Sequence, residues 1–155
     1  IGLFAMSELL VQSTRLNLIV ETIAMKAVQL PTMADYKKIW KTILRSCGIG
    51  TFIGVLPAEG ATVASMIGYS EARRWSKNKD EFGKGAVEGI AGAEAANNAA
   101  TGGAMVPTMV LGIPGSGTTA VILVGLLVHG VRPGPSLFTE QVDKVYAIFG
   151  AMFVA

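Results

Sequence analysis

The feature that most constrains this chain is residues 85–131, a long window that contains no lysine or arginine and is largely apolar. Several helix-breaking elements interrupt it: Asn97-Asn98, Gly102-Gly103, Pro107 and the run Gly112-Ile-Pro-Gly-Ser-Gly117. Proline and paired glycines oppose a regular helix, so the window predicts broken helices rather than one continuous helix. At membrane depth, irregular backbone is tolerated only where protein covers it or where it lines a polar cavity. The interruptions therefore predict a binding site.

The glycine distribution supports the same interpretation, because 14 of the 19 glycines lie between residues 48 and 117. Secondary transporters use broken helices near the midplane to direct helix ends and free backbone groups at substrates and ions. The alternative is that these glycines allow helices to pack closely, which is common in membranes. That alternative explains the Pro-Gly turns poorly.

Composition places the chain in a membrane. It is 51% hydrophobic and 15% charged, with a mean hydropathy of +0.50, outside the range of soluble domains. We predict an all-α, polytopic integral membrane protein. The basic residues are spread over several segments, so nucleic acid is not favoured as a partner. Cys47 is the single cysteine, which excludes an internal disulfide. Both ends lie in apolar stretches, and we expect a fragment truncated at both ends.

Residues 46–70 predict a re-entrant hairpin. Glu59, beside Pro57 and Gly60, divides this segment into two arms of about a dozen residues each, too short to cross a bilayer separately. Basic residues flank the segment on both sides and favour the cytoplasmic face. They are Lys37, Lys38, Lys41 and Arg45 before it, and Arg73, Arg74, Lys77, Lys79 and Lys84 after it. Both ends of the hairpin are therefore expected on the cytoplasmic side.

Charged residues and turn residues predict the structure of the remaining segments. Residues 1–12 predict the end of a helix, and the mixed block 13–45 is too polar to span. Residues 117–131 predict a helix that ends near Gly130, residues 132–140 a loop, and residues 142–155 the start of another span.

The hairpin turn is the first motif whose residues could bind a substrate or an ion. Pro57 and Gly60 set the reversal, and the second arm begins with a helix N-terminus, whose amides and positive dipole end favour an anion. Thr62 and Ser65 add hydroxyls on one face. Glu59 is an intramembrane acid and so a functional candidate, here for ion coupling. The alternative for Glu59 is a hairpin tip that reaches water.

The second motif is a polar stripe in an alanine-rich segment. Glu94, Asn97, Asn98 and Thr101 share a helical face at spacings of three and four. Their oxygens suit a hard cation, so Asn97, Asn98 and Thr101 are candidate Na⁺ ligands and Glu94 a candidate coupling residue. The asparagine amides can also donate to a substrate carboxylate. The alternative is a stripe that hydrogen-bonds neighbouring helices.

The third motif is the glycine-rich turn over residues 112–119. Its pattern approaches that of a phosphate-binding loop, but Thr118 occupies the position of the required lysine. What remains is a turn that opens a helix, with Gly115 and the hydroxyls of Ser116, Thr118 and Thr119, and this suits a carboxylate. A purely structural kink is the alternative.

Several motifs together resemble the large membrane subunit of tripartite tricarboxylate transporters, over most of the chain. They are Gly54-Val-Leu-Pro-x-x-Gly-Ala-Thr62, Phe82-Gly-Lys-Gly85 with Glu88-Gly89, Glu94-Ala-Ala-Asn-Asn-Ala99, Leu111-Gly-Ile-Pro-Gly-Ser-Gly-Thr-Thr-Ala-Val121 and Pro133-Gly-Pro135. The chain departs from that family at Pro57-Ala58-Glu59-Gly60, where Pro-Gly-x-Gly is usual, and at Ala93-Glu94, where Pro-Glu is usual. These departures bear on the coupling ion and the substrate.

The resemblance implies a multi-pass permease subunit of the bacterial inner membrane. It implies two partners, a smaller membrane subunit and a periplasmic solute-binding protein, and symport with Na⁺ or H⁺ without another cofactor. It also implies that residues 1–155 belong to the second of two related repeats. The expected architecture is an inverted-repeat, elevator-like transport domain in the lipid bilayer, and a homodimer is left open.

We therefore predict import of citrate, another tricarboxylate or a related organic acid anion, with no enzymatic activity. The hairpin tip 57–65, an unwound stretch 94–101 and the turn 112–119 are expected to converge on the carboxylate and its cation. One competing hypothesis is a membrane-embedded nucleotide hydrolase that uses the 112–119 loop. Another is a subunit that only scaffolds a complex.

Overall fold

The computed structural model describes residues 6–7, 10–11, 13, 31–57 and 60–154. It divides the chain into two compact units, Ile1–Pro31 and Thr32–Ala155. In the first unit, the described residues 6–7, 10–11 and 13 are helical, and Ser13 Oγ donates to the Leu10 carbonyl at 2.8 Å. Glu59 lies outside the described residues.

The second unit is built from helices. In chain order they are α1 (Met33–Val55), α2 (Gly60–Trp75), a 3₁₀ turn (Lys79–Glu81), α3 (Val87–Leu111), α4 (Gly117–Val128), α5 (Leu137–Glu140) and α6 (Val142–Val154). The described residues contain no strand, which confirms the all-α prediction for that part of the chain. Among them, no helix combines the length and the apolar character needed to cross a bilayer.

Helix α1 begins earlier than the hairpin boundary at residue 46 predicts. Thr32 caps it: Asp35 Oδ2 accepts from the Thr32 amide at 2.9 Å, and the Asp35 amide donates to Thr32 Oγ1 at 3.4 Å. Such a capping box satisfies amides that a helix N-terminus leaves unpaired. The polar block before residue 46 can be helical because its basic side chains face outward, with Lys37 and Lys41 exposed while Ile39 is buried.

The hairpin arms are therefore longer than expected, 23 residues in α1 and 16 in α2. The expected length of about a dozen residues per arm is wrong. Helix α2 runs back along α1, since Trp75 at its end contacts Arg45. The two helices form a helical hairpin, with Leu56 and Pro57 after α1 and Gly60 at the start of α2 marking its tip.

Helices α1, α2 and α3 pack together through small residues. Gly50 and Gly54 lie so close to α3 that a Cβ on either would collide with the carbonyl oxygen of Ala96 or Ala100. Small residues at such positions let helix backbones approach each other. Close packing, the alternative use of glycine, is therefore correct for these positions.

The predicted unwound stretch 94–101 is wrong, because α3 is continuous through it. Every fourth residue on one side of this stretch is small and buried, with Gly92, Ala96 and Ala100 facing the hairpin. The asparagines can remain helical because their polar side chains lie beside this packed face, Asn97 half-buried and Asn98 exposed.

Further along α3, Gly103 and Pro107 also fail to break the helix. A Cβ at Gly103 would collide with the Thr51 carbonyl oxygen, so this glycine belongs to the helix contact. Pro107 is buried inside α3. The helix ends only at Gly112, whose φ of 68° is left-handed and favours glycine. Of the predicted interruptions, the structure confirms the run that starts at Gly112.

A second apolar cluster holds the C-terminal helices. Met105 and Met109 of α3 pack with Val131, Leu137 and Val145. The predicted helix after residue 117 is confirmed as α4. The predicted loop 132–140 contains one helical turn, α5, because Leu137 is 1% exposed and belongs to this cluster.

Candidate functional site

A cavity of about 300 Å³ lies where three segments of the second unit meet. The start of α2, the middle of α3 and the start of α4 each contribute to its wall. The residues that line it are Gly60, Ala61, Thr62, Ala100, Thr101, Ala104, Ser116, Thr118, Thr119 and Ile122. Five of these residues carry hydroxyl groups, and none carries a charged side chain.

The start of α4 is rigidly capped. The Ser116 amide donates to Thr119 Oγ1 at 2.8 Å, and the Thr119 amide donates to Ser116 Oγ at 3.2 Å. Both hydroxyl groups are thus occupied in a reciprocal capping box. The amides of Gly117 and Thr118 belong to the same first turn, where a helix offers no internal acceptor. Of these two residues, Thr118 lines the cavity.

The turn before α4 is fastened to α3 by Thr108. The Gly115 amide donates to Thr108 Oγ1 at 3.4 Å, and Thr108 Oγ1 donates to the Ala104 carbonyl at 2.7 Å. A Cβ at Gly115 would lie 2.9 Å from the Ala104 Cβ, so only glycine fits without a shift. The turn and α3 therefore form one continuous wall.

The start of α2 forms the opposing wall. Gly60 has a φ of +71°, which an L side chain rarely adopts, and it opens the helix at the tip of the hairpin. Thr62 is exposed in the first turn, and the Ser65 hydroxyl donates to its carbonyl at 2.8 Å. Backbone amides of this first turn and the Thr62 hydroxyl are the donors on this side.

Two helix N-termini thus border a single cavity. Each N-terminus carries partial positive charge from the helix dipole and offers unpaired amides, so each favours an anion. Hydroxyl groups supply further donors without adding charge. Such a set of neutral donors suits a carboxylate that must be bound and then released.

Comparison with known proteins identifies the type of protein that carries this cavity. The sequence model of the tripartite tricarboxylate transporter TctA family matches residues 1–155. The chain belongs to this family of transporters.

Two curated relatives of this TctA-family chain come from Agrobacterium vitis. It is 37% identical over 120 residues to an "Uncharacterized 52.8 kDa protein in TAR-I ttuC' 3'region", a match that covers 77% of the chain and 24% of that protein. It is 41% identical over 105 residues to an "Uncharacterized protein in TAR-II ttuC' 3'region", covering 68% of the chain and 43% of that protein. The chain therefore spans less than half the length of either relative. No solved structure matches it.

The structure brings together six of the residues predicted to bind substrate or ion. Gly60, Thr62, Thr101, Ser116, Thr118 and Thr119 all line the cavity. Ser65 and Gly115 lie just behind the wall, Ser65 bonded to Thr62 and Gly115 bonded to Thr108. Pro57 is exposed at the hairpin tip and is not among the lining residues.

The polar stripe on α3 reaches the cavity only at its end. Thr101 lines the cavity, while Glu94, Asn97 and Asn98 lie one or two turns away toward the start of α3 and are not part of its lining. Glu94 and Asn98 are exposed. Within the described residues, no group of three or more His, Cys, Asp or Glu side chains could hold a metal ion. The stripe is therefore a surface of carboxylate, amide and hydroxyl oxygens beside the cavity.

Four lining residues escaped sequence reasoning because they are apolar: Ala61, Ala100, Ala104 and Ile122. Ala100 and Ala104 are small residues one helical turn apart, which in sequence resembles ordinary helix packing. Thr108 was also missed, although it is fully buried and holds the turn. Its position four residues after Ala104 and just before a glycine-rich run is the signal that could have found it.

Proposed function

We propose that this chain is part of the permease subunit of a binding-protein-dependent secondary transporter that imports tricarboxylates or related organic acid anions. The observation that supports this most strongly is the cavity bordered by two helix N-termini in a TctA-family chain. A solute-binding protein would deliver the anion, and a smaller membrane subunit would complete the complex in the bacterial inner membrane.

The cavity chemistry fits a substrate that is charged but must not be held permanently. Lysine or arginine would hold a carboxylate by a strong charge-assisted pair. Here the donors are hydroxyls and helix amides, with Thr118 on α4, Thr62 on α2 and Thr101 on α3. A cation that enters with the anion would balance the remaining negative charge, which couples the two.

The coupling ion has candidate ligands next to the cavity. Thr101 is shared between the cavity wall and the stripe that continues through Asn98, Asn97 and Glu94. We propose that Na⁺ binds among the Asn97, Asn98 and Thr101 oxygens, or that Glu94 carries a proton instead. Glu59, which precedes Gly60 in the sequence, is a further candidate for the coupling role.

The nucleotide-hydrolase hypothesis receives no comparable support. The loop at 112–116 joins two helices, α3 and α4, whereas a phosphate-binding loop follows a strand. Thr118 also replaces the lysine that such a loop needs.

The direct test is uptake of labelled citrate by vesicles that contain the full-length subunit with its two partners. We expect Thr118→Val to reduce uptake roughly tenfold, since one hydrogen bond to a charged group is worth about 1.5–3 kcal/mol. Within the described residues the Thr118 hydroxyl has no hydrogen bond to the protein, so folding should be unaffected. Thr101→Val should also reduce uptake.

Thr139→Val is the matched control, because Thr139 is exposed on α5 and does not line the cavity. If Thr118→Val and Thr101→Val both transport like the wild type, the cavity is not the substrate site. Driving the same vesicles with a sodium gradient or with a proton gradient distinguishes the two coupling ions.

A further inference from the structure

The exposed face of the helical hairpin changes character along its length. Near the tip, α1 exposes Phe52, which is 71% exposed, and in its middle it exposes Leu44, which is 62% exposed. Toward its start, Lys41, Trp40 and Lys37 are all exposed. Exposed apolar residues are thus followed by a mixture of basic and aromatic residues.

Helix α2 repeats this order in the opposite chain direction. Met66 and Ile67 are exposed toward the tip, while Arg73, Arg74 and Trp75 are exposed at the other end. Because the helices run antiparallel, the two gradients point the same way. One end of the hairpin is apolar outside, and the other is aromatic and basic.

Each of the two tryptophans lies against a basic side chain, in the half of the hairpin away from its tip. The Arg45 guanidinium carbon is 4.9 Å from the centre of the Trp75 ring, and Lys41 Nζ is 5.6 Å from that of Trp40. Tryptophan is enriched where a membrane meets water, and lysine and arginine on the cytoplasmic side of that boundary. This end therefore has the composition of a headgroup contact.

Part of the positive charge at this end is neutralised within the protein. In the part of the chain that the structure describes, Arg74 pairs with Glu71 at 3.2 Å. Lys38 lies near the Asp35 carboxylate, which also accepts hydrogen bonds from Thr32. Four further basic residues of the described segments are exposed and have no recorded ion pair, and we call this group, Lys37, Lys41, Arg73 and Lys77, the basic collar.

We propose that the basic collar binds the headgroups of anionic phospholipids and that the exposed apolar face beyond it contacts their acyl chains. Clusters of four to eight basic residues next to a membrane segment attract anionic lipid. The collar fits this description, and its neighbouring tryptophans provide the anchors. This inference rests on the membrane location in the proposed function.

The proposal also sets the depth of the cavity. From Trp75 to Gly60 the helix axis covers about 22 Å, at a rise of 1.5 Å per residue. Half of the hydrocarbon core is about 15 Å. With Trp75 at the headgroup boundary and α2 along the bilayer normal, the hairpin tip and the cavity beside it lie inside the hydrocarbon core, about 7 Å beyond its middle.

The test compares lipids on the purified full-length protein in detergent. Phosphatidylglycerol should raise the Tm of the wild type by several degrees, and phosphatidylcholine should raise it much less. The variant Lys37→Gln/Lys41→Gln/Arg73→Gln/Lys77→Gln should lose most of the shift produced by phosphatidylglycerol. Native mass spectrometry should show fewer phosphatidylglycerol molecules retained by that variant.

Two matched variants control this test. Arg132→Gln/Lys144→Gln removes charge outside the collar and should keep the full shift, as should the charge-preserving Lys37→Arg/Lys41→Arg/Arg73→Lys/Lys77→Arg. An unchanged shift in the glutamine variant would overturn the proposal and indicate that other segments of the permease cover this face. An equal shift from phosphatidylcholine or from soluble glycerol phosphate would overturn it as well. Transport is not measured, so either result leaves the carboxylate site to its own test.

Discussion

Two groups of glycines in this chain have opposite structural roles. In the contact between α1 and α3, Gly50 and Gly54 are helical, and their missing side chains let two backbones touch. In the turn between α3 and α4, Gly112 ends a helix with a left-handed φ, and Gly115 lets the chain pass over Ala104. The first group preserves regular structure and the second interrupts it. Neither group lines the cavity, but the second directly precedes Ser116, which does.

This difference shows that a glycine's role depends on what it faces. A helical glycine costs about 1 kcal/mol relative to alanine, so it persists where a partner backbone leaves no room for a Cβ. A glycine with positive φ persists because other residues are strained there. Substitutions can separate the two roles.

The largest effect is expected at the helix contact. Gly54→Ala should destabilise the protein by about 1–3 kcal/mol or more, since the new Cβ meets the Ala100 backbone and the helices must separate. Gly48→Ala is the matched control, because Gly48 is helical with nothing within 4 Å of a new Cβ. It should be neutral or stabilise by up to about 1 kcal/mol. Denaturant unfolding of the detergent-solubilised protein measures both, and equal effects would contradict the comparison.

A smaller effect is expected at the turn. Ser116→Ala removes the cap of α4 and should cost about 1 kcal/mol of unfolding free energy. Ser136→Ala is the control, since Ser136 precedes α5 without a side-chain capping bond. It should change stability little. A Ser116→Ala protein as stable as the wild type would show that the capping box does not hold the cavity wall.

The smallest expected effect is a pH dependence of stability, which distinguishes the capping box of Thr32 and Asp35 from that of Ser116 and Thr119. The hydrogen bond from the Thr32 side chain lowers the pKa of the Asp35 carboxyl below its usual 3.8. That bond therefore stabilises the folded state above pH 3.8, and the contribution is lost as the pH falls through the lowered pKa. The Ser116–Thr119 box contains no titrating group.

Asp35→Asn should accordingly be slightly less stable than the wild type at neutral pH, and the difference should shrink in acid. Thermal unfolding across this pH range measures it. Ser116→Ala should keep a constant difference over the same range, and a pH-dependent one would contradict the assignment.

Sequence reasoning located the cavity better than it located the helices. Gly60, Thr62 and the 116–119 turn were predicted from helix-start chemistry and Thr101 from the polar stripe, and the structure places these residues around one cavity. Such signals are local, since a glycine-rich turn followed by serine and threonine encodes a capped helix start in a few residues. The carboxylate and ion roles of these residues stay predictions.

The predicted break at 94–101 failed for a non-local reason. In the sequence Gly103 indicates a helix break, and the packing role of Gly92 and Gly103 is evident only once their partners on the hairpin are known. Gly92 faces Ala72, and Gly103 faces Thr51, both distant in sequence. Asn97 does not line the cavity, because α3 is continuous and helical geometry sets the direction of the Asn97 side chain. The start of α1 was missed because this segment is rich in lysine, although one face of the helix is buried at Ile39.

Two small residues of the cavity wall constrain how the shape of the cavity can change. Ala100 and Ala104 line the cavity, yet Ala100 also lies against Gly54 and Ala104 against Gly115. A larger residue at either position would narrow the cavity and push neighbouring segments apart together. Thr62, Thr118 and Ile122 are exposed lining residues, so substitutions there can change the shape of the cavity without disturbing these helix contacts.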